Sequence, residues 1–180
     1  VEVTIYEKHD KLGGLLTHGI PEFRLPREVV EKTIEKILNL GVETKLNQEL
    51  GKDFEIEDLA KKYPKVNFIA SHINWPNFDS LFYLCDKYEN FYTCFSGCND
   101  GENIEEREKQ NKLIADTINK YFDIYPSVKN KIMYGTDFFA VSDEYSDVSS
   151  YIKVIDLLNV DEKEKRDILY NNVCRAYNTN

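Results

Sequence analysis

No apolar run in the chain approaches the roughly 20 residues that a membrane-spanning helix requires. Basic clusters are absent too, and the 180 residues hold only four cysteines, one methionine and one tryptophan. Each shortage excludes something. Without a long apolar run, no membrane span is expected. A formal charge of −9 with no basic patch to offset it repels phosphate backbones and anionic membranes, so nucleic acid is not an expected partner. The densest charge run, Glu102 to Lys112, mixes both signs and reads as a solvated helix face. Four cysteines are too sparse for a disulfide framework and no signal peptide is visible, which points to a reducing, cytoplasmic location. Cys94 and Cys98 invite a metal reading. However, Cys94 lies in the β-like run Phe91 to Phe95 and no second pair follows, whereas structural zinc needs four converging ligands.

What is present is a globular composition, 42% hydrophobic and 31% charged, enough for one domain or two small ones. The chain opens on Val1, goes straight into a strand and has its one methionine at Met133, so a missing natural start is expected. Five short β-favouring runs alternate with helical patterns: 2–6, 42–46, 66–71, 91–95 and 131–134. This is the signature of an α/β fold with mostly parallel strands. A closed eight-stranded barrel needs about 250 residues. The expected architecture is therefore an open sheet or a partial TIM barrel, with self-association through open strand edges as the alternative.

Three helices are clear from spacing. Pro26 suits a first turn, and Val30, Ile34, Ile37 and Leu38 follow at helical intervals until Gly41. Phe78, Leu81, Phe82, Leu84 and Cys85 form an apolar helix. Ile114, Ile118, Tyr121 and Phe122 form a buried stripe, with Arg107 to Lys112 facing outward. Asp161 to Glu164 has the form of a capping box at the start of the last helix. Trp75 either lines a pocket beside His72 or covers the end of the sheet.

Two sets of residues suggest chemistry. Glu7 ends the first strand, where an acid can accept hydrogen bonds from a ribose, and Gly13-Gly14 can take positive φ or admit a close neighbour. His72 and Asp137 both follow predicted parallel strands, whose carboxyl ends share one mouth. There the Asp can bind a divalent ion or take a proton, and the His can polarise a carbonyl or deliver one. The same residues also suit a solvated acid, a plain turn, a structural His and an N-cap.

The string Gly13-Gly14-Leu15-Leu16-Thr17-His18-Gly19-Ile20-Pro21-Glu22-Phe23-Arg24-Leu25-Pro26 closes a longer likeness. Residues 1–62 resemble the FAD- and NADPH-dependent small chain of glutamate synthase and its relatives. That resemblance implies that Glu7 faces the adenosine ribose of FAD and that Gly13, Gly14 and Leu15 pass beside the cofactor. The G-x-G-x-x-G turn that would hold the pyrophosphate is missing, so FAD is an ancestral inference only.

From about Leu59 the likeness changes. Tyr63-Pro64-Lys65 with its strand and His72, Phe91 to Phe95 with Ser96-Gly97, and Lys131 to Asp137 resemble the last part of a metal-dependent amidohydrolase-related barrel. This group includes hydrolases and aromatic-acid decarboxylases acting on small molecules. The resemblance implies Asp137 as last-strand metal ligand and base, His72 as the acid–base residue and a divalent metal, zinc for choice, if the site is intact. The family's other ligands would precede residue 59 and are replaced here. The expectation is a chimera, with a flavoprotein-like segment at 1–58 and an amidohydrolase-like segment at 59–180, weakly active or inactive. A flavin oxidoreductase fragment and a non-catalytic interaction module are the alternatives.

Overall fold

The structure is a computed structural model of the chain and describes residues 2–99, 101–137 and 150–179. Its contacts divide the chain into two compact units, Val1–Leu59 and Ala60–Asn180. The first unit begins with β1 (Thr4–Glu7), α1 (Gly14–His18), α2 (Arg27–Leu38) and β2 (Glu43–Leu46). β1 and β2 pair in parallel, Thr4 opposite Glu43 and Glu7 opposite Leu46. Pro26 stands one position earlier than the spacing suggests, at the N-cap of α2, and Gly41 leaves the helix at φ 89°. Burial in this unit is thin: among the described residues Val30 alone is buried, while Leu15, Phe23 and Leu40 are largely exposed.

The second unit takes in the end of α3 (Ile56–Lys62) and continues with β3 (Phe68–Ala70), a 3₁₀ turn (Ser71–Asn74), α4 (Phe78–Lys87), β4 (Phe91–Cys94) and α5 (Ile104–Ile124). β5 (Ile132–Met133), α6 (Ser150–Asp156), α7 (Glu162–Arg166) and α8 (Asn172–Tyr177) follow, with a π turn at Asp167–Asn171 joining the last two. β3, β4 and β5 form a parallel sheet in that order, Phe68 opposite Phe91 and Thr93 opposite Ile132. The chain is thus α/β with five parallel strands and no closed barrel among the described residues. Among the described residues these strands form a pair in the first unit and a triplet in the second, each a small sheet of its own.

The triplet is packed as a buried sheet should be. Phe78 and Phe82 of α4 stack at 5.3 Å and meet the Tyr121 ring of α5 edge-on. Ile114, Ile118, Ile132, Ile155 and Ile168 are essentially inaccessible to solvent. Burying each such side chain is worth about 1.5–3 kcal/mol. Side-chain amides then tie the layers. Asn90 donates to the carbonyls of Ala60, Tyr63 and Val66, and Asn67 to those of Arg175 and Ala176. The capping box forms as expected: Asp161 accepts from the Glu164 N–H and Glu164 from that of Asp161. One expectation needs correction. The segment from Arg107 to Lys112 does not all face water, because Asn111 is 2% exposed and accepts from the Asn99 amide at 2.6 Å, and the Arg107 guanidinium donates to the Gly101 carbonyl.

Candidate active site

Three loops leave the carboxyl ends of β3, β4 and β5, and their residues meet. His72 lies in the turn after β3, Ser96-Gly97-Cys98 follow β4, and Asp137 follows β5. A Cβ built on Gly97 would lie 2.7 Å from His72 Nδ1 and 3.2 Å from Asp137 Oδ2. The imidazole and the carboxylate therefore converge over the one residue that has no side chain to keep them away. Gly97 also sits at φ 63°, in the left-handed region that favours glycine.

The backbone that delivers His72 is strained. His72, Ile73 and Asn74 hold φ values of 64°, 47° and 57°, and Asp137 holds 54°. Left-handed conformations at non-glycine residues cost of order 1–3 kcal/mol each and persist where the surroundings over-determine them. The surroundings here do so. Ile73 is completely buried, Asn74 donates to the Asn77 carbonyl at 2.7 Å, and Thr93 of β4 donates to the Ala70 carbonyl at 2.8 Å just before the turn.

His72 Nδ1 is 3.1 Å from the Ser96 carbonyl oxygen and 3.2 Å from the Ser96 hydroxyl. That hydroxyl also lies 3.4 Å from Cys94 Sγ. The Cys98 thiol donates to the Ser96 carbonyl at 3.2 Å. Burial, with a smaller contribution from Cys94, pushes the Cys98 thiol up to about 12, so it keeps its proton and stays a donor. Behind this layer the Tyr151 hydroxyl of α6 accepts from the Asn99 N–H at 3.2 Å. Burial raises the Tyr151 phenol above its ordinary value, the Asn99 N–H opposes the rise, and the negative charge of Asp137 adds to it.

Of the sequence-derived candidates, His72 and Asp137 are thus brought together, each exposed to solvent. Trp75 instead lies on Phe78, ring centroids 5.3 Å apart. Ser96 and Gly97 enter the site although the sequence marked them only as a landmark, and Tyr151 was legible only as part of a late helix with Ile152, Val154, Ile155 and Leu158. As a donor set for a divalent ion, one imidazole and one carboxylate fall short of the three protein ligands that catalytic zinc takes. No group of three or more His, Cys, Asp or Glu side chains able to hold a metal occurs among the described residues.

The other candidates stand in the first unit. Glu7 and Gly13 line one apolar cavity of about 380 Å³ with Ile5, Leu16, Val30 and Ile34, and Gly13 and Gly14 both have positive φ. Leu15 is 75% exposed and is not part of that lining. The Glu7 carboxylate already has a partner in its own strand end. It accepts from the His9 backbone N–H and pairs with the His9 ring, both at 2.8 Å, and these bonds hold it below the usual carboxylate range. Within residues 1–180 no glycine-rich phosphate turn accompanies Glu7, Gly13 and Gly14, and the Glu7 carboxylate is already engaged by His9.

Comparison with known proteins gives two different likenesses. A family model described as Amidohydrolase matches residues 13–179. The NADPH glutamate synthase small chain of Escherichia coli (strain K12) is 41% identical over 66 residues, 37% of this chain and 14% of that protein. The NAD-dependent dihydropyrimidine dehydrogenase subunit PreT of Salmonella typhimurium is 45% identical over 65 residues, 36% of this chain and 16% of that protein. The chain thus spans about a seventh of the length of these curated relatives. Among solved structures, a Pseudomonas putida protein given the provisional name 2-pyrone-4,6-dicarboxylic acid hydrolase aligns with a TM-score of 0.49 and 12% identity, over 99% of this chain and 63% of its own.

Proposed function

We infer, since the chain belongs to the amidohydrolase family, that it is a C-terminal piece of a hydrolase or decarboxylase of that type, weakly active or inactive on small-molecule substrates. The observation that supports this reading is the approach of His72 Nδ1 and Asp137 Oδ2 to within 3.2 Å of one point over Gly97. His72 takes or delivers the proton, and the Asp137 carboxylate stabilises the imidazolium or accepts a proton in turn. A positioned acid–base group contributes roughly 10²–10⁴-fold. The rest of a good site is short here. Both side chains are open to water, which weakens their electrostatic effect, and the described residues do not complete a metal-ligand set.

Purified protein assayed on a panel of esters, lactones and hydroxyaromatic carboxylic acids should show slow turnover that disappears in His72→Gln and falls sharply in Asp137→Asn. Turnover kept by both variants would overturn the assignment of the pair. Fast turnover lost in both would keep the pair and overturn the expected weakness.

A second reading has its own observation, the 41% identity over 66 residues to an NADPH glutamate synthase small chain. In that reading residues 1–58 are a partial dinucleotide-binding segment with Glu7, Gly13, Gly14 and Leu15 at the cofactor, and residues 59–180 are the amidohydrolase-like part. Bound flavin, read as yellow absorbance in the purified chain, would support it. Resequencing the source gene across residues 55–70 tests the fusion itself: a different sequence there removes it. A folded chain with neither turnover nor flavin would leave a non-catalytic α/β module.

A further inference from the structure

We propose that the Ser96-Gly97 turn is a positioning device that fixes His72 in its Nδ1-protonated tautomer and so presents Nε2 as the basic atom. The deciding group is the Ser96 carbonyl. A carbonyl oxygen only accepts, and it stands 3.1 Å from His72 Nδ1. If the ring proton were on Nε2, two lone pairs would face each other across that distance. With the proton on Nδ1 the contact becomes a hydrogen bond, which is how a ring's second nitrogen is set by the partner of the first.

The Ser96 hydroxyl, 3.2 Å from the same nitrogen, can act either way and so does not oppose this choice. It has an alternative partner in Cys94 Sγ at 3.4 Å, toward which its hydrogen can turn. The carbonyl also accepts from the Cys98 thiol at 3.2 Å, the shorter of that thiol's two contacts, the other being the His72 carbonyl at 3.7 Å. Gly97 supplies the remaining condition, which is space. Any larger residue would place a carbon 2.7 Å from Nδ1, closer than Cβ atoms come to other groups, and a tight 3.2 Å from Asp137 Oδ2, so the ring must shift. Ser96 acts here through its backbone and Gly97 through its missing side chain, so both position His72 without touching substrate.

This deepens the acid–base reading of His72 and rests on that reading for its chemical use, but its test needs no turnover. In the uniformly ¹⁵N-labelled full chain, long-range ¹H–¹⁵N correlation spectra distinguish protonated from bare ring nitrogens, and the chain has only three histidines. The His72 signals are the set missing from His72→Gln. At a pH where the ring is neutral, the wild type and Ser96→Ala, which keeps the carbonyl, should both show Nδ1 protonated and Nε2 bare. Gly97→Ala should lose that pattern and show the Nε2-protonated form prevailing. A wild-type His72 with its proton on Nε2 overturns the proposal, as does a Gly97→Ala variant with an unchanged pattern. If Gly97→Ala does not fold, Ser96→Ala still decides: a tautomer that reverses there shows the hydroxyl in control and overturns the role given to the carbonyl. Turnover that survives both His72→Gln and Asp137→Asn beside a confirmed tautomer would sink the proposed function alone, whereas turnover lost in those variants beside the wrong tautomer would sink this inference alone.

Discussion

The side-chain amide of Asn172 donates to the main-chain carbonyl of Ile132 at 2.6 Å and to that of Lys129 at 3.0 Å, fastening the last helix to β5. Asn172 is completely buried, so no water stands ready to replace it. Asn172→Ala should lower stability by about 1–3 kcal/mol, the cost of leaving buried polar groups unpaired. Urea unfolding should show a lower midpoint with an unchanged slope, the mark of lost stability without a change in the surface exposed.

Asp161 and Glu164 close a reciprocal pair of hydrogen bonds at the start of α7. Asp161→Ala should cost about 1 kcal/mol, whereas Asp161→Asn or Asp161→Ser, which restore an accepting oxygen, should cost less. Thermal unfolding of the three variants side by side gives the ranking.

Burial pushes the thiols of Cys85 and Cys98 up to about 12. Maleimide labelling of the native chain should therefore modify the half-buried Cys94 and Cys174 before these two, and all four should react once the chain is unfolded in urea. The same shifts fix a sign. An exposed thiol ionises near 9, so in the unfolded state the protons leave first. Stability should be insensitive to these groups below that pH and should decline as pH climbs from 9 toward 12. Cys98→Ser should make the decline shallower.

Asp167 gives the opposite limb. It is 3% exposed, and hydrogen bonds from Asn171 and then Lys163, with Arg175 near, hold its carboxyl below the usual carboxylate range. Its stabilisation is present above the ordinary carboxylate value and is lost as pH falls through the folded one. Asp167→Asn should be less stable than wild type at neutral pH and should lose less on acidification, measured as urea midpoints across the acid range.

Much of this was legible because it is local. The capping box at Asp161, the α4 stripe and the strand at Phe91 each depend on spacing within a few residues, and Gly41 ends α2 by the conformation a glycine can adopt. The placement of His72 and Asp137 after parallel strands could be read for the same reason. Pairing is not local. Nothing in β1 and β2 states that they partner each other and not β3, so five strands in sequence became a pair and a triplet. The buried Asn111 was hidden for a related reason: an amide in a charged run looks solvated until Asn99 is found beside it. Ser96 could not be singled out either, because the group that meets His72 Nδ1 is its backbone carbonyl, which every residue possesses.

Val30 stands alone as the buried residue among the described residues of the first fifty-nine, and that scarcity has a practical side. A segment that withdraws so little apolar surface from water has little to resist opening, and a two-stranded ribbon adds only marginal support. Amides in β1 and β2 should exchange with deuterated solvent long before those in β4, and brief trypsin treatment should nibble toward Ala60 while sparing the aromatic cluster of α4 and α5. Random substitution should be tolerated unequally in the same way, freely around Phe23 and Leu40 and hardly at all around Phe78 and Ile118.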